Sequence, residues 1–136
     1  MGKDVIIACD FKNREELFKF LEPFKGLNPF LKIGMEIFYK EGPQLVRDLK
    51  AQGCRIFLDL KLHDIPNTVE SAMRNLSELG AEIVNCHAAG GIEMMKAARR
   101  GLDATEAGKK SELIAVTQLT SISQEALENE LLINRP

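Results

Sequence analysis

The sequence predicts an α/β fold in which βα units repeat around a parallel sheet. Apolar runs of strand length recur along the 136 residues, segments with helical periodicity separate them, and 45% of the residues are hydrophobic, enough for one domain. An open doubly wound sheet and the first part of an eight-stranded barrel both have this alternation. A whole barrel of about 250 residues uses about 31 per unit, so this chain could not close one.

The first predicted unit joins a strand over residues 4–9 to a helix that begins near Asn13. Asn13, followed three residues later by Glu16, is similar to a capping box. The apolar stripe of this helix consists of Leu17, Phe20, Leu21 and Phe24. Pro29 then breaks the pattern before the second strand.

The second predicted unit starts with a strand over residues 30–33, which is followed, after Gly34, by residues 35–39. Gly42 and Pro43 open another helix, which ends before Gly53. One face of that helix carries Leu45, Val46 and Leu49.

The third and fourth strands are predicted over residues 55–61 and 82–87, each with a helix after it. The helix over residues 65–79 stops at Gly80, and the next one runs to about residue 100. The apolar positions of the first of these helices are spaced by three and four: Val69, Ala72, Met73 and Leu76.

The last predicted unit begins with a polar stretch, residues 103–111, which is typical of a loop. Residues 112–117 form the fifth predicted strand. Ser121 and Gln124 have the spacing of a capping box and predict one more helix. We expect residues 1–136 to form a single, partial domain.

Composition excludes several functional classes. Eighteen basic and twenty acidic residues give a net charge of −2, which offers no general attraction to nucleic acid or to an anionic membrane. The apolar runs are too short to span a bilayer, and the N-terminus has no signal-peptide pattern, so we expect a cytoplasmic protein. Three cysteines without a CxxC motif and only two histidines predict neither a disulfide framework nor a metal site.

The residues most typical of a functional site lie in the third predicted strand. A strand covered on both faces should be nearly all apolar, but this one carries Asp59 and Lys61, two positions apart and therefore on the same side. A structural ion pair is the simpler interpretation. However, Asp10 follows the first strand and Lys32 lies in the second, so alternation would bring all four charges to one cavity.

These charges suggest proton-transfer chemistry. Neighbouring carboxylates favour the charged form of an ammonium group, which makes Lys61 a candidate proton donor. A substrate carboxylate held beside such acids would be repelled, and its departure as neutral carbon dioxide would relieve that repulsion.

Residues 59–68 (Asp-Leu-Lys-Leu-His-Asp-Ile-Pro-Asn-Thr) resemble the signature of the orotidine 5'-phosphate decarboxylase family. A bare DxKxxD also resembles sugar-phosphate decarboxylases and synthases of the same superfamily, but the continuation HDIPNT is similar to the nucleotide enzyme. Further segments match that family in order: Asp10, residues 32–36, residues 38–39, residues 87–91 and residues 116–121. The resemblance covers essentially the whole chain.

The resemblance implies a TIM (β/α)8 barrel, of which this chain would hold about the first five βα units, and a homodimer without metal or organic cofactor. The reaction would be decarboxylation of orotidine 5'-phosphate to UMP in pyrimidine biosynthesis. Lys61 would protonate C6 as carbon dioxide leaves, with Asp59 beside the substrate carboxylate. Lys32 and Asp64 of the partner subunit would complete an alternating chain of charges.

The same resemblance implies the substrate-binding residues. Asp10 and Lys32 would bind ribose hydroxyls, Thr68 of the partner subunit would do the same, and Thr120 would contact the pyrimidine ring. In this family the 5'-phosphate is held by the second half of the barrel. We therefore expect these 136 residues to lack the phosphate-binding half.

Two alternatives to this assignment stay open. One is a Mg²⁺-dependent sugar-phosphate decarboxylase or synthase of the same superfamily, in which carboxylates such as Asp59 would hold the metal. The other is a half-barrel fragment without catalytic activity, which would self-associate through its open sheet edge.

Overall fold

The structure is a computed structural model that describes residues 4–133. Within that range five strands form one parallel sheet in the order of the sequence. The strands are β1 (Ile6–Ala8), β2 (Phe30–Gly34), β3 (Arg55–Leu62), β4 (Ile83–His87) and β5 (Glu112–Val116). The predicted domain limits, residues 1 and 136, lie outside the described residues.

Helices connect the strands and cover one face of the sheet. They are α1 (Arg14–Leu21), α2 (Met35–Glu41), α3 (Pro43–Ala51), α4 (Pro66–Ser77), α5 (Gly91–Leu102), α6 (Glu106–Lys109) and α7 (Gln124–Asn129). Single-turn 3-10 segments follow α1 at Glu22–Phe24 and β4 at Ala88–Gly90. No helix of residues 4–133 is long and apolar enough to cross a membrane.

The strand order decides between the two architectures that the sequence left open. Each strand pairs in parallel with the one before it, from β1 to β5. A doubly wound sheet reverses its strand order at a switch point, whereas a (β/α)8 barrel adds its strands in sequence. The chain therefore forms about the first five βα units of a barrel, as the family resemblance implied.

Alternation along β3 separates the buried core from the opposite face of the sheet. Ile56, Leu58 and Leu60 are buried among apolar helix residues, whereas Asp59 and Lys61 lie on the other face, the interior of a barrel. Large, fully buried side chains of the core include Leu17, Leu31, Ile33, Leu45, Leu49, Met73 and Met94.

Two sequence predictions about the last unit need correction. The polar stretch 103–111 is not entirely loop, because it contains the four-residue α6, capped by Thr105, whose Oγ1 accepts a hydrogen bond from Gly108 N at 2.9 Å. Such a short helix has too little periodicity to be recognised.

The cap of α7 is Ser123 rather than Ser121, since the Ser123 hydroxyl accepts a hydrogen bond from Ala126 N at 3.1 Å. The predicted cap of α1 at Asn13 is correct.

Candidate active site

Four charged side chains converge at the carboxyl-terminal side of the sheet, one from the residue that follows β1 by two positions and three from within β2 and β3. Asp10, Lys32, Asp59 and Lys61 all line one pocket of about 170 Å³. Parallel strands end at the same edge of the sheet, and side chains two apart share a face, so the sequence positions bring these groups together. The predicted convergence is therefore present in the structure.

Two ion pairs organise the pocket. Lys61 Nζ lies 2.6 Å from Asp59 Oδ1, and Lys32 Nζ lies 2.7 Å from Asp10 Oδ1. The Lys61 and Asp59 side chains are 25% and 15% exposed, whereas Asp10 is 67% exposed. The Asp59–Lys61 pair is thus the more shielded of the two, and its charges interact more strongly than those of a surface pair.

The environment of Asp59 keeps its carboxyl group ionised. Burial raises the pKa of Asp59, but hydrogen bonds from Lys61 and Asn85, together with the charges of Lys61 and Lys32, outweigh that effect. The pKa of Asp59 therefore lies below its usual value of 3.8. At neutral pH the pocket holds a fixed negative charge in contact with an ammonium group.

The backbone at Lys61 is strained. Lys61 has a φ of 50°, in the left-handed region that favours glycine. Holding a non-glycine residue there costs about 1–3 kcal/mol, and such strain persists only where the surroundings impose it. The strain coincides with an irregularity in the pairing of β3 with β4 between Leu58 and Leu62.

Asn85 is a site residue that the sequence analysis did not select. Its side chain, 2% exposed, reaches from β4 to both charged residues of β3. Lys61 N donates to Asn85 Oδ1 at 2.7 Å, and Asn85 Nδ2 donates to Asp59 Oδ1 at 2.6 Å. The sequence did offer one signal, an amide side chain between two apolar residues of the predicted strand. Because a buried amide must have hydrogen-bond partners, its position indicates polar groups on the neighbouring strand.

The structure does not bring every predicted residue into this pocket. Asp64 and Thr68 line a second, adjacent pocket of about 350 Å³, to which Lys61 also contributes. Both residues are exposed, and Asp64 Oδ1 accepts a hydrogen bond from Ile65 N at 2.7 Å. Thr120 is exposed in the turn after β5 and lines neither pocket.

Two histidines flank Lys61 on the side of the second pocket. The rings of His63 and His87 lie 5.3 Å apart, centroid to centroid. Burial lowers the pKa of His87, and the charges of His63 and Lys61 lower it further. His87 is therefore neutral at pH 7.

The thiol that borders the first pocket is unreactive. Burial, followed by the charge of Asp10, raises the pKa of Cys9 to about 12. Because the thiolate is the nucleophilic form, Cys9 does not supply a nucleophile at neutral pH. Within residues 4–133 there is no group of three or more His, Cys, Asp or Glu side chains placed to hold a metal ion.

Comparison with known proteins shows the family to which the chain belongs. The family model described as orotidine 5'-phosphate decarboxylase / HUMPS family matches residues 3–135. The chain belongs to this family. Orotidine 5'-phosphate decarboxylase of Bacillus pumilus (strain SAFR-032) is 57% identical over 132 residues, which cover 96% of this chain and 56% of the relative. The enzyme of the same name from Enterococcus faecalis (strain ATCC 700802 / V583) is 59% identical over 134 residues, with the same two coverages.

A solved structure of the family has the same fold. The crystal structure of orotidine 5'-phosphate decarboxylase from Lactobacillus acidophilus superposes with a TM-score of 0.93 at 43% sequence identity. The match covers 99% of this chain and 62% of that one. The chain spans little more than half the length of the curated relatives it matches.

Proposed function

We propose that this chain is part of an enzyme that decarboxylates orotidine 5'-phosphate to UMP in pyrimidine biosynthesis. The observation that carries the proposal is the contact of the Lys61 ammonium with the ionised Asp59 carboxylate in a pocket shared with Asp10 and Lys32. Relatives that are 57% and 59% identical carry the name of this activity.

In the proposed reaction the bond between C6 of the pyrimidine and its carboxylate breaks. The electron pair stays on C6, neutral carbon dioxide leaves, and a proton passes from Lys61 Nζ to C6. The Lys61 ammonium stabilises the negative charge as it develops, because it lies in a shielded pocket where electrostatic interactions are strong. It then supplies the proton as a general acid.

Asp59 acts on the ground state of the substrate. Its carboxylate is 15% exposed and stays ionised, so a substrate carboxylate placed next to it is repelled. That repulsion disappears when the carboxylate becomes carbon dioxide, which lowers the barrier. In the free enzyme no such repulsion exists, and the Asp59 carboxylate pairs with the Lys61 ammonium at 2.6 Å.

Asp10 and Lys32 bind the ribose in this proposal. Their ion pair places an acceptor and a donor side by side, which suits two neighbouring hydroxyl groups. Lys32 also adds positive charge near Asp59, which continues the proposed alternation of charges.

Asp64 and Thr68 serve the active site of a partner subunit, so the proposed enzyme is a homodimer. Both side chains are exposed and neither lines the pocket of Asp10 and Lys32. Lys61 borders the pocket of Asp64 and Thr68 as well as its own, so a second subunit docked there would add its residues beside Lys61. Thr120 contacts the pyrimidine ring, and the 5'-phosphate is bound by residues outside this chain. Binding that remote phosphate contributes to transition-state stabilisation as well as to affinity.

The proposed location is the cytoplasm. Cys9, Cys54 and Cys86 are all buried free thiols, which suits a reducing compartment.

The test is decarboxylation by the complete enzyme, followed as loss of orotidine 5'-phosphate and release of carbon dioxide. The Lys61→Ala variant should lower turnover by at least ~10²-fold, the lower range for a positioned acid. Lys96→Ala, which removes an exposed lysine on α5, is the control and should retain normal turnover. Near-normal turnover of Lys61→Ala would refute the assignment of Lys61.

A metal-dependent sugar-phosphate enzyme is the second candidate. The description of the matching family joins orotidine 5'-phosphate decarboxylase with a second group, HUMPS, so the family match alone does not choose between the two. Asp59, the carboxylate expected to hold Mg²⁺, already accepts hydrogen bonds from Lys61 and Asn85 through Oδ1. Loss of activity in EDTA, restored by Mg²⁺, would favour this second candidate.

A non-catalytic half-barrel remains the alternative for the isolated chain. The barrel-interior face of the sheet leaves Ile6 39% exposed and Ile114 41% exposed. Turnover by the complete enzyme, with none by residues 1–136 alone, would support this interpretation for the isolated chain.

A further inference from the structure

Asn85 is a buried polar residue that the proposed reaction does not use. On either side of it in β4, Val84 and Cys86 belong to the hydrophobic core, and Asn85 itself is only 2% exposed. Both hydrogen bonds of its side-chain amide go to β3, one to Lys61 N and one to Asp59 Oδ1. The amide therefore links the backbone of the proposed acid to the side chain of its partner.

The irregular pairing of the two strands explains why an amide is needed at this position. Leu58 pairs with Val84 and Leu62 pairs with Cys86, so four steps along β3 correspond to two along β4. The extra residues of β3 cannot continue the regular ladder, and their backbone groups need other partners. Asn85 Oδ1 provides that partner for the Lys61 N–H, at the residue with a φ of 50°.

We propose that Asn85 is a positioning residue that fixes both the backbone from which Lys61 projects and the Asp59 oxygen that the Lys61 ammonium contacts. Asp59 Oδ1 accepts from Lys61 Nζ and from Asn85 Nδ2, each at 2.6 Å. Loss of the amide would release the backbone and the carboxylate together. This inference rests on the proposed function for its kinetic consequences, but its structural consequence at the Lys61 amide does not.

The pH dependence of the reaction should report the same contact. The charged groups that face Asp59 are Lys61 on its own strand and Lys32 on β2, with Asp10 bound to Lys32. From β4, Asn85 contributes a neutral donor. Removing a donor from an ionised carboxylate disfavours the charged form, so the acid limb of the pH–rate profile should move to higher pH.

The experiment compares two replacements of Asn85 in the complete enzyme. Asn85→Leu has nearly the same size and no polar atoms. Asn85→Asp keeps an oxygen for the Lys61 N–H, removes the donor to Asp59 and adds a negative charge. The control is Cys86→Ala, a change at the next buried residue of β4, which faces the helices instead of the pocket.

Two measurements distinguish positioning from simple packing: kcat and KM across pH, and hydrogen exchange of the Lys61 amide. Asn85→Leu should lower kcat at least ~10-fold, with KM changed by no more than ~3-fold, and should speed exchange at Lys61. In Asn85→Asp the Lys61 amide should stay protected from hydrogen exchange. The acid limb of the pH–rate profile of this variant should move to higher pH. Cys86→Ala should leave the profile and the Lys61 amide unchanged.

The outcomes separate this inference from the proposed function. If the wild-type enzyme does not decarboxylate orotidine 5'-phosphate, the function is wrong, and exchange at Lys61 still decides whether Asn85 holds the backbone. If the wild type is active and Asn85→Leu matches Cys86→Ala in both kinetics and exchange, the inference is overturned. Should Asn85→Leu fail to fold, Asn85→Ser supplies the same two readings, because its shorter side chain cannot reach both partners.

Discussion

The Lys32 ammonium lies 2.7 Å from the Asp10 carboxylate and joins the first two strands across their carboxyl ends. Lys32 is 19% exposed and Asp10 is 67% exposed, so the pair extends from the shielded part of the pocket to solvent. A solvated ion pair contributes little to stability. These exposures support the proposal that the two side chains bind a polar part of the substrate instead of forming a structural bridge.

This geometry predicts a binding defect for Asp10→Asn. The variant keeps the shape of the side chain but loses the negative charge of the carboxylate, whose oxygens accept hydrogen bonds from the ribose hydroxyls in the proposed complex. Hydrogen bonds to charged groups contribute about 1.5–3 kcal/mol, so KM should rise about 10-fold or more while kcat changes little. Steady-state kinetics of the complete enzyme measures both. Glu93→Gln, which neutralises an exposed carboxylate on α5, is the matched control and should leave KM unchanged. A fall in kcat with constant KM would contradict ribose binding by Asp10.

Much of this architecture could be predicted from the sequence, because strand alternation carries the information. The spacing of Asp59 and Lys61, two positions apart in an apolar strand, was sufficient to place both side chains on one face of the sheet. The structure shows their contact at 2.6 Å. Periodicity did not distinguish a barrel from a doubly wound sheet, since that choice depends on strand order, which only long-range pairing determines.

The part that could not be predicted lies where β3 departs from regular pairing. The positive φ of Lys61 and the contacts of Asn85 arise from an irregularity between two strands that are distant in sequence. A strand pattern assumes regular pairing, so it cannot reveal a residue that compensates for its loss. The proposed contribution of Asp64 and Thr68 to the site of a partner subunit was likewise implied only by the family resemblance, and it stays a prediction.

The lowered pKa of Asp59 predicts a specific dependence of stability on pH. A carboxyl group whose pKa is lower in the folded protein stabilises the fold at pH values above its pKa in the unfolded chain, here 3.8. This stabilisation is lost as the pH falls through the pKa of the folded protein. The difference in stability between the wild type and Asp59→Asn should thus be constant from pH 7 to about 4 and shrink below it. Urea denaturation midpoints at a series of pH values measure this difference. A difference that shrinks already between pH 7 and 5 would contradict the lowered pKa.

Close packing of α4 against α5 predicts a loss of stability for Gly101→Ala. A Cβ at this position would collide with the carbonyl oxygen of Glu70 and press on Met73. Overpacking of this kind costs about 1–3 kcal/mol, because the two helix backbones must separate. Chemical denaturation of the complete enzyme measures the effect. Ser71→Ala, at an exposed position of α4, is the control and should change stability by less than about 0.5 kcal/mol. Equal stability of the two variants would mean that the helices lie further apart than the structure has them.

The separation of Asp64 from the pocket of Asp10 and Lys32 predicts complementation between inactive variants. In the proposed homodimer, Asp64→Ala and Lys61→Ala should each disable every site of a dimer built from that variant alone. In a mixed dimer, however, one site combines Lys61 of one subunit with Asp64 of the other and is intact. Equal mixing makes half of the dimers mixed, and each mixed dimer has one intact site of two. About a quarter of wild-type activity should therefore return. The measurement is turnover after subunit exchange, which mass spectrometry of differently tagged subunits verifies independently. If exchange is complete and activity does not return, Asp64 acts within its own subunit or has no part in the reaction.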